Sequence, residues 1–380
     1  MDLKHKIALL LLVTTAFLSL PVSASIGNIV TSDLAGNWMI VLHGTTGCGY
    51  VDMEADMTIN SSGAGTGTLI THGACGNSTL GGQTFTITSV KTDGSGSAGL
   101  SCGSFCGWNF DIQVSPDRSK FNLVDIDTKN PGNFMEGVAL LQSPSGNIAI
   151  SDLTGSWQLT LYGQTGCGIG TTGAVFVLNG GGTTSGVIEV YHTTICGNGS
   201  EIGYTFAVTS LNANGYGTAT LGCGSGCAFD FDIQVSPDRS TIAFVDVSDS
   251  GNFLAGVAVN NSTAAVIVPT NLAGNWQFVS YGQGACGIGS TLVTFTLNSS
   301  GSASNAATTS HTAGCGNPKS KDNTFTITSL AADGSGTATL TCGAGCSFTY
   351  GIEVSSDRSM ITLLDVSDPN IYQIATAVHQ

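Results

Sequence analysis

Basic side chains are scarce in this sequence. Only 10 of its 380 residues are lysine or arginine, against 25 aspartates and glutamates, for a formal net charge of −15. Such a chain repels nucleic acid and anionic surfaces, because little in it can displace counterions from phosphates. Nucleic acid is therefore excluded as a partner. Helical periodicity is missing too, and no second apolar run of spanning length follows the N-terminus. There is no nucleophile elbow, phosphate loop, calcium loop or C-x-x-C-H, so no catalytic set and no cofactor is expected, covalent haem included. Charged residues make up only 9%, yet hydrophobic residues reach 41% and glycine numbers 53. That balance excludes a disordered acidic tail and points to a folded chain rich in turns.

What is present begins with a leader. MDLKHK, the apolar IALLLLVTTAFLSL and the small-residue site Val22-Ser23-Ala24 read as a secretory signal peptide over residues 1–24. The apolar run is short for a bilayer span. The expectation is a secreted or extracytoplasmic chain, in the periplasm or at the cell surface, with no membrane insertion after cleavage.

The remainder is written three times. Trp38, Trp157 and Trp276 recur at a spacing of 119 residues, as do Cys48, Cys167 and Cys286. The units run over 33–142, 152–259 and 271–380, joined by the small-residue linkers SPSGNIAIS and NNSTAAVIVPT. Each is large enough for its own core. Within a unit the period is two: Trp108, Phe110, Ile112 and Val114 alternate with Asn109, Asp111 and Gln113. One face is apolar and one wet, as in half-buried antiparallel strands. Turn signals such as NSSG, TDGSG and SPDRS separate eight strands in unit 1, near 36–43, 50–59, 64–71, 82–90, 95–102, 107–114, 120–127 and 133–141. Short connections favour a meander that closes on itself to remove its edges. The fold class is all-β: three tandem eight-stranded up-and-down barrels, with two-sheet sandwiches as the alternative.

Each unit opens with Gly-x-Trp: Gly36-Asn37-Trp38, Gly155-Ser156-Trp157 and Gly274-Asn275-Trp276. Together with the eight-strand meander, this resembles the lipocalin group of the calycin barrels. The resemblance implies a tryptophan across the closed end of each barrel, beside a basic side chain. Arg118, Arg239 and Arg358, the only arginines, sit in the turn after the sixth strand, at that end. A cation–π contact with Trp38, Trp157 and Trp276 is expected of them. The units are shorter than most lipocalins and leave no room for that family's C-terminal helix, and an eight-stranded interior can be filled by side chains alone.

The cysteines fall at the other end. Cys48, Cys75, Cys102 and Cys106 lie in alternate loops, and so do Cys167, Cys196, Cys223 and Cys227, and Cys286, Cys315, Cys342 and Cys346. Up-and-down topology gathers each set of four on one rim, which the resemblance makes the ligand mouth. In an exported chain four cysteines imply two disulfides per unit. One pairing joins Cys48 to Cys75 and Cys102 to Cys106; the other two tie the loop of Cys102 and Cys106 to both neighbours. The latter are favoured, since longer bridged loops restrain the unfolded chain more. A tetrathiolate metal site is the alternative, with spacing unlike the usual knuckles.

His72, His192 and His311 precede a rim cysteine by three or four residues, and His43, Tyr162 and Tyr281 end the first strand of each unit. All six are candidates to line the mouth. Asp125, Asp246 and Asp365 share a face with apolar residues of the seventh strand, so each is buried with a hydrogen-bonding role unless a bulge turns it outward. The reading that results is a non-enzymatic binding protein for an unknown small molecule or surface component. A structural repeat protein with filled barrels is the alternative, and a metal or redox protein using the cysteine rim is a third.

Overall fold

A computed structural model describes residues 28–103, 107–126, 132–222, 228–247, 251–261, 266–342, 347–366 and 371–380. The leader, Cys106, Cys223, Cys227, Cys346 and the side chain of Cys342 lie outside the described residues. Unit 1 contains β1 (Gly36–Thr46), β2 (Gly49–Ile59), β3 (Ala64–Gly73), β4 (Ser78–Val90), β5 (Ser95–Ser101), β6 (Gly107–Val114), β7 (Lys120–Asp125) and β8 (Phe134–Leu141). Unit 2 contains β9 (Gly155–Thr165), β10 (Gly168–Leu178), β11 (Thr183–Thr193), β12 (Gly197–Leu211), β13 (Tyr216–Gly222), β14 (Ala228–Val235), β15 (Thr241–Asp246) and β16 (Phe253–Asn260). Unit 3 contains β17 (Gly274–Gly284), β18 (Gly287–Leu297), β19 (Ser302–Thr312), β20 (Lys319–Leu330), β21 (Ser335–Cys342), β22 (Ser347–Val354), β23 (Met360–Asp365) and β24 (Tyr372–His379). Each set forms a closed antiparallel barrel in chain order, the first strand pairing with the last. Closure leaves no free edge.

Alternation decides what fills each barrel. In β6, Trp108, Phe110, Ile112 and Val114 point inward with Phe121 and Leu123 of β7. A turn of 3-10 helix before each first strand plugs the closed end with Leu34, Leu153 or Leu272, all fully buried. The tryptophan of Gly-x-Trp lies there, its Nε1 donating to the carbonyl of that leucine at 2.9 Å for Trp38 and Trp157 and 2.8 Å for Trp276. Gly36, Gly155 and Gly274 take φ of 156°, 142° and 145°, a backbone conformation that L side chains rarely adopt, which explains the glycine.

The arginines do something other than expected. Arg118, Arg239 and Arg358 close tight turns in the left-handed region, with φ of 63°, 64° and 64°. Arg118 Nε donates to Asp33 Oδ2 at 2.9 Å and Arg239 Nε to Asp152 Oδ2 at 3.1 Å, tying the turn to the plug. Asn271 stands at the matching place in unit 3. Trp38 instead packs on Phe121 with ring centroids 4.8 Å apart. Arg118 and Arg239 are held by a carboxylate, the stronger partner for a guanidinium.

The barrels are not beads on a string. Residues that β1 and β8 turn outward are apolar as well: Met39, Val41, Val138 and Leu140 pack with Ala243, Val245, Ala255, Val257 and Val259 of barrel 2 and with Met360 and Val378 of barrel 3. Seven consecutive residues of β1 and all of β7 are therefore buried, whereas β4 alternates. Equivalent residues of the three units converge, so an approximate threefold axis relates the barrels, each contacting the next head to tail until the ring closes. Asp117, Asp238 and Asp357, one from each SxDRS turn, bring carboxylate oxygens within 4.8 Å of one another on this axis.

Lys120 answers that cluster of negative charge. Its ammonium, fully buried, donates to Asp238 at 3.0 Å, Asp357 at 2.8 Å and Ser240 Oγ at 2.8 Å. Burial alone would favour neutral lysine, but Asp357, Asp238 and Asp117 outweigh it and raise its pKa. Barrels 2 and 3 carry Thr241 and Met360 at this position, so one cation serves three carboxylates. Lys120→Met is expected to destabilise the chain by roughly 2–3 kcal/mol in chemical denaturation. That is less than a fully buried pair would lose, because the side chains of Asp238 and Asp357 are 27% and 25% exposed. An unchanged midpoint would show that the carboxylates do not need the lysine.

The seam between barrels 1 and 2 also gathers acids. Glu54 is fully buried beside Asp56 and Asp232, and burial followed by those two carboxylates pushes its pKa well up. A carboxyl protonated when folded and ionised when unfolded makes stability fall as pH rises above about 4.3. Glu54→Gln, which mimics the protonated acid, is expected to raise the thermal midpoint at pH 8 and leave it unchanged at pH 4. An equal shift at both would mean that Glu54 is ionised in the seam.

Candidate functional site

The rim opposite the tryptophans is braced by disulfides. Cys48 bonds Cys75, Cys167 bonds Cys196 and Cys286 bonds Cys315, with Cα atoms 5.4, 5.1 and 5.2 Å apart. This corrects the favoured pairing, in which the loop of Cys102 and Cys106 reached both neighbours. Strand register decides the matter: β10 pairs with β11 at Gly170↔Thr193, and continuing three residues outward sets Cys167 opposite Cys196. Gly289↔Thr312 does the same for Cys286 and Cys315. Loop length governs how much a bridge restrains the unfolded chain; the folded register governs which bridge forms. Cys102 is buried and also disulfide-bonded, and no free thiol occurs among the described residues. Tetrathiolate metal sites are thereby excluded for these cysteines.

None of the six candidate mouth residues lies in a mouth. Leu42 faces into barrel 1, so His43 faces out, and outward from β1 means toward the axis. His43, Tyr162 and Tyr281 meet there, with His43 6.1 Å from Tyr162 and 5.6 Å from Tyr281, and the two tyrosines 5.0 Å apart. The Tyr281 hydroxyl lies 2.5 Å from Thr45 Oγ1. Burial drives His43 down to about 3, so it is neutral, and burial raises its neighbour Glu136, 3.9 Å away. His72, His192 and His311 likewise point outward, each against the next barrel. His72 lies near Asp232, His192 near Ile371, and His311 packs on Phe134 at 4.6 Å. These rings belong to the seams. Asp125, Asp246 and Asp365 are at most 1% exposed, and β6 and β7 pair without a register shift, so no bulge turns Asp125 outward. The Asp125 carbonyl accepts from Ser290 of barrel 3 at 2.5 Å.

The mouths are lined by residues in register with one another, and the three units differ there. Barrel 1 is filled: Leu42, Val51, Met53, Leu69, Trp108 and Met135 belong to its core. In barrel 3 these places hold Ser280, Gly289, Thr291, Thr308, Phe348 and Gln373, which with Asn323 and Tyr350 surround a pocket of about 240 Å³ beside Cys286. The Tyr350 hydroxyl donates to Gln373 at 3.1 Å across its floor. In barrel 2 they hold Leu161, Gly170, Thr172, Glu189, Phe229 and Leu254. There the pocket is about 420 Å³, with Tyr191, Tyr204 and Glu201 on its wall beside Cys167 and Cys196. Two pockets therefore sit at two disulfide-braced rims. The signal was in the repeat itself, where Met53 gives way to Thr172 and Thr291.

Equivalent residues near the closed ends meet at one end of the axis, and those near the mouths meet further along it. All three mouths consequently open on the same side of the molecule.

No family model and no curated protein matches this sequence. Among solved structures it is similar to transferrin binding protein B from Haemophilus parasuis, with 9% identity over 91% of this chain and 76% of that one and a TM-score of 0.29. Isotype 1 transferrin binding protein B from Neisseria meningitidis matches at 10% identity over 86% and 66%, with a TM-score of 0.25. A putative AttH from Nitrosomonas europaea matches at 9% over 63% and 96%, with a TM-score of 0.23. Likeness at this level carries no argument about function. The barrels rest on their own strand pairing.

Separating Cys48 from Cys75 by a double serine substitution removes a bridge spanning 27 residues. It is expected to cost about 3.5 kcal/mol in the chain-entropy account. Denaturant titration of the variant checks this, and a loss below about 1 kcal/mol would mean that barrel 1 holds its rim without the bridge.

Proposed function

We propose that the protein is a non-enzymatic, extracytoplasmic binding protein that takes small molecules, or groups displayed on a surface, into the mouths of barrels 2 and 3. The observation that carries this reading is the divergence of the three mouths. One fold is repeated, yet barrel 1 is packed solid where the others hold pockets of about 420 and 240 Å³. A chain serving only as a spacer gains stability by filling its barrels, since a cavity of either size forfeits packing. Barrel 1 suits a structural role: apolar side chains fill its mouth and it contributes Lys120 to the axis.

Bridged cysteines suit an oxidising compartment, in keeping with the leader, and the acidic surface disfavours nucleic acid as a partner. Lipocalin-like barrels with braced rims fit this role. Two pockets opening to the same side also suit a repetitive target, where a second contact follows the first at high effective concentration.

Uptake of the neutral apolar fluorophore N-phenyl-1-naphthylamine tests the reading. Wild-type chain is expected to take up two equivalents, and Thr172→Met or the pair Thr291→Met with Gln373→Met, each introducing barrel 1 residues, to remove one apiece. No uptake by wild type, or full uptake by the combined variant, would overturn it in favour of filled structural barrels.

A further inference from the structure

The barrel 2 pocket differs from its siblings in charge as well as size. β11 and β12 set Glu189 directly opposite Glu201. The matching cross-strand pair is Leu69 with Leu80 in barrel 1 and Thr308 with Ser320 in barrel 3. Like charges placed opposite each other on a sheet are destabilising, so this pair has no structural rationale in a fold that uses leucines or hydroxyls at the same place. Both glutamates line the pocket, and the Tyr204 hydroxyl donates to Glu201 at 2.5 Å. Tyr191, Tyr204 and Phe229 supply aromatic rings beside them.

Among the described residues no lysine or arginine lines the pocket with the pair. Residues 155–260 contain a single lysine or arginine, Arg239, and it lies at the closed end, held by Asp152. His192 is buried in the seam, where burial lowers its pKa. Barrel 3, by contrast, carries Lys319 and Lys321 on the strand that borders its pocket. Aromatic faces and carboxylates together, in a partly dry pocket, attract a cation through ring quadrupole and charge at once.

We propose that the mouth of barrel 2 is a site for an organic cation, an amine or quaternary ammonium carried on an apolar body, with Glu189 and Glu201 as counter-charges and Tyr191, Tyr204 and Phe229 as the cage. This rests on the reading of the mouths as binding sites and names the ligand class for one of them. Burial and the charge of Glu201 raise Glu189 to about 7, so near neutral pH a bound cation displaces a proton from it. Barrel 3, with hydroxyls, amides and flanking lysines, does not share the preference.

The test is calorimetric titration of the wild-type chain at pH 8 with trimethylphenylammonium and with its neutral isostere, tert-butylbenzene. The cation is expected to bind at least about tenfold more tightly than the isostere. Glu189→Gln and, separately, Glu201→Gln are each expected to reduce that preference, read as the ratio of the two affinities within each variant. Equal affinity for the two probes in wild type, or a preference untouched by both substitutions, would overturn the cation site and leave the pockets standing as neutral ones. Failure of wild type to bind either probe would overturn both readings.

Discussion

Three carboxylates forced together need a cation, and this molecule is organised around the one it has. Each SxDRS turn presents an aspartate to the axis, and repetition of the unit brings three of them within 4.8 Å. Lys120 is the break in symmetry that makes the arrangement tolerable, donating to two of the three aspartates and to Ser240. Around it, outward residues of β1 and β8 join residues of barrels 2 and 3 in an apolar core shared by all three barrels. With the turns tied together at one end and His43, Tyr162 and Tyr281 packed further along, the barrels cannot swing independently. The mouths are consequently held on one side.

That arrangement separates two tasks that a lone barrel would have to combine. The wall of each barrel nearest the axis is buried on both faces and bears structure. The rim is braced by a disulfide between two neighbouring loops, and the inward residues beneath it are free to vary. Unit 1 spends that freedom on methionine, valine and tryptophan; unit 3 on hydroxyls and amides; unit 2 on an acidic pair among aromatic rings. Differences of this kind at matched positions point to function, because the fold itself accepts any of the three solutions.

Much of this was legible in the sequence, and the rest was hidden for identifiable reasons. Turn signals, with period-two alternation in strands such as β6, located the eight strands of unit 1. The tryptophan of each Gly-x-Trp is held by the turn of 3-10 helix that precedes its first strand. The arginines were misjudged because the plug that holds Asp33 and Asp152 lies outside the strand pattern, where periodicity says nothing. His43, Tyr162 and Tyr281 were expected at the mouths; counting parity from Leu42 would have turned them outward. Unbroken apolar stretches such as Met39-Ile40-Val41 and Val138 to Leu141 were the trace of the shared core, since a strand buried on both faces loses its alternation. The disulfide pairing was settled by register, which composition does not reveal. The pocket in barrel 2 was visible only by setting Leu69, Glu189 and Thr308 side by side, a comparison that requires the strand pairing first.

The account's central claim is that three barrels around one buried lysine form a single body. Differential scanning calorimetry of the oxidised chain tests it most directly. One transition, with calorimetric and van't Hoff enthalpies in agreement, is the result the account predicts. Two or three separable transitions, each with the enthalpy of one barrel, would contradict it and return the molecule to independent units on short linkers.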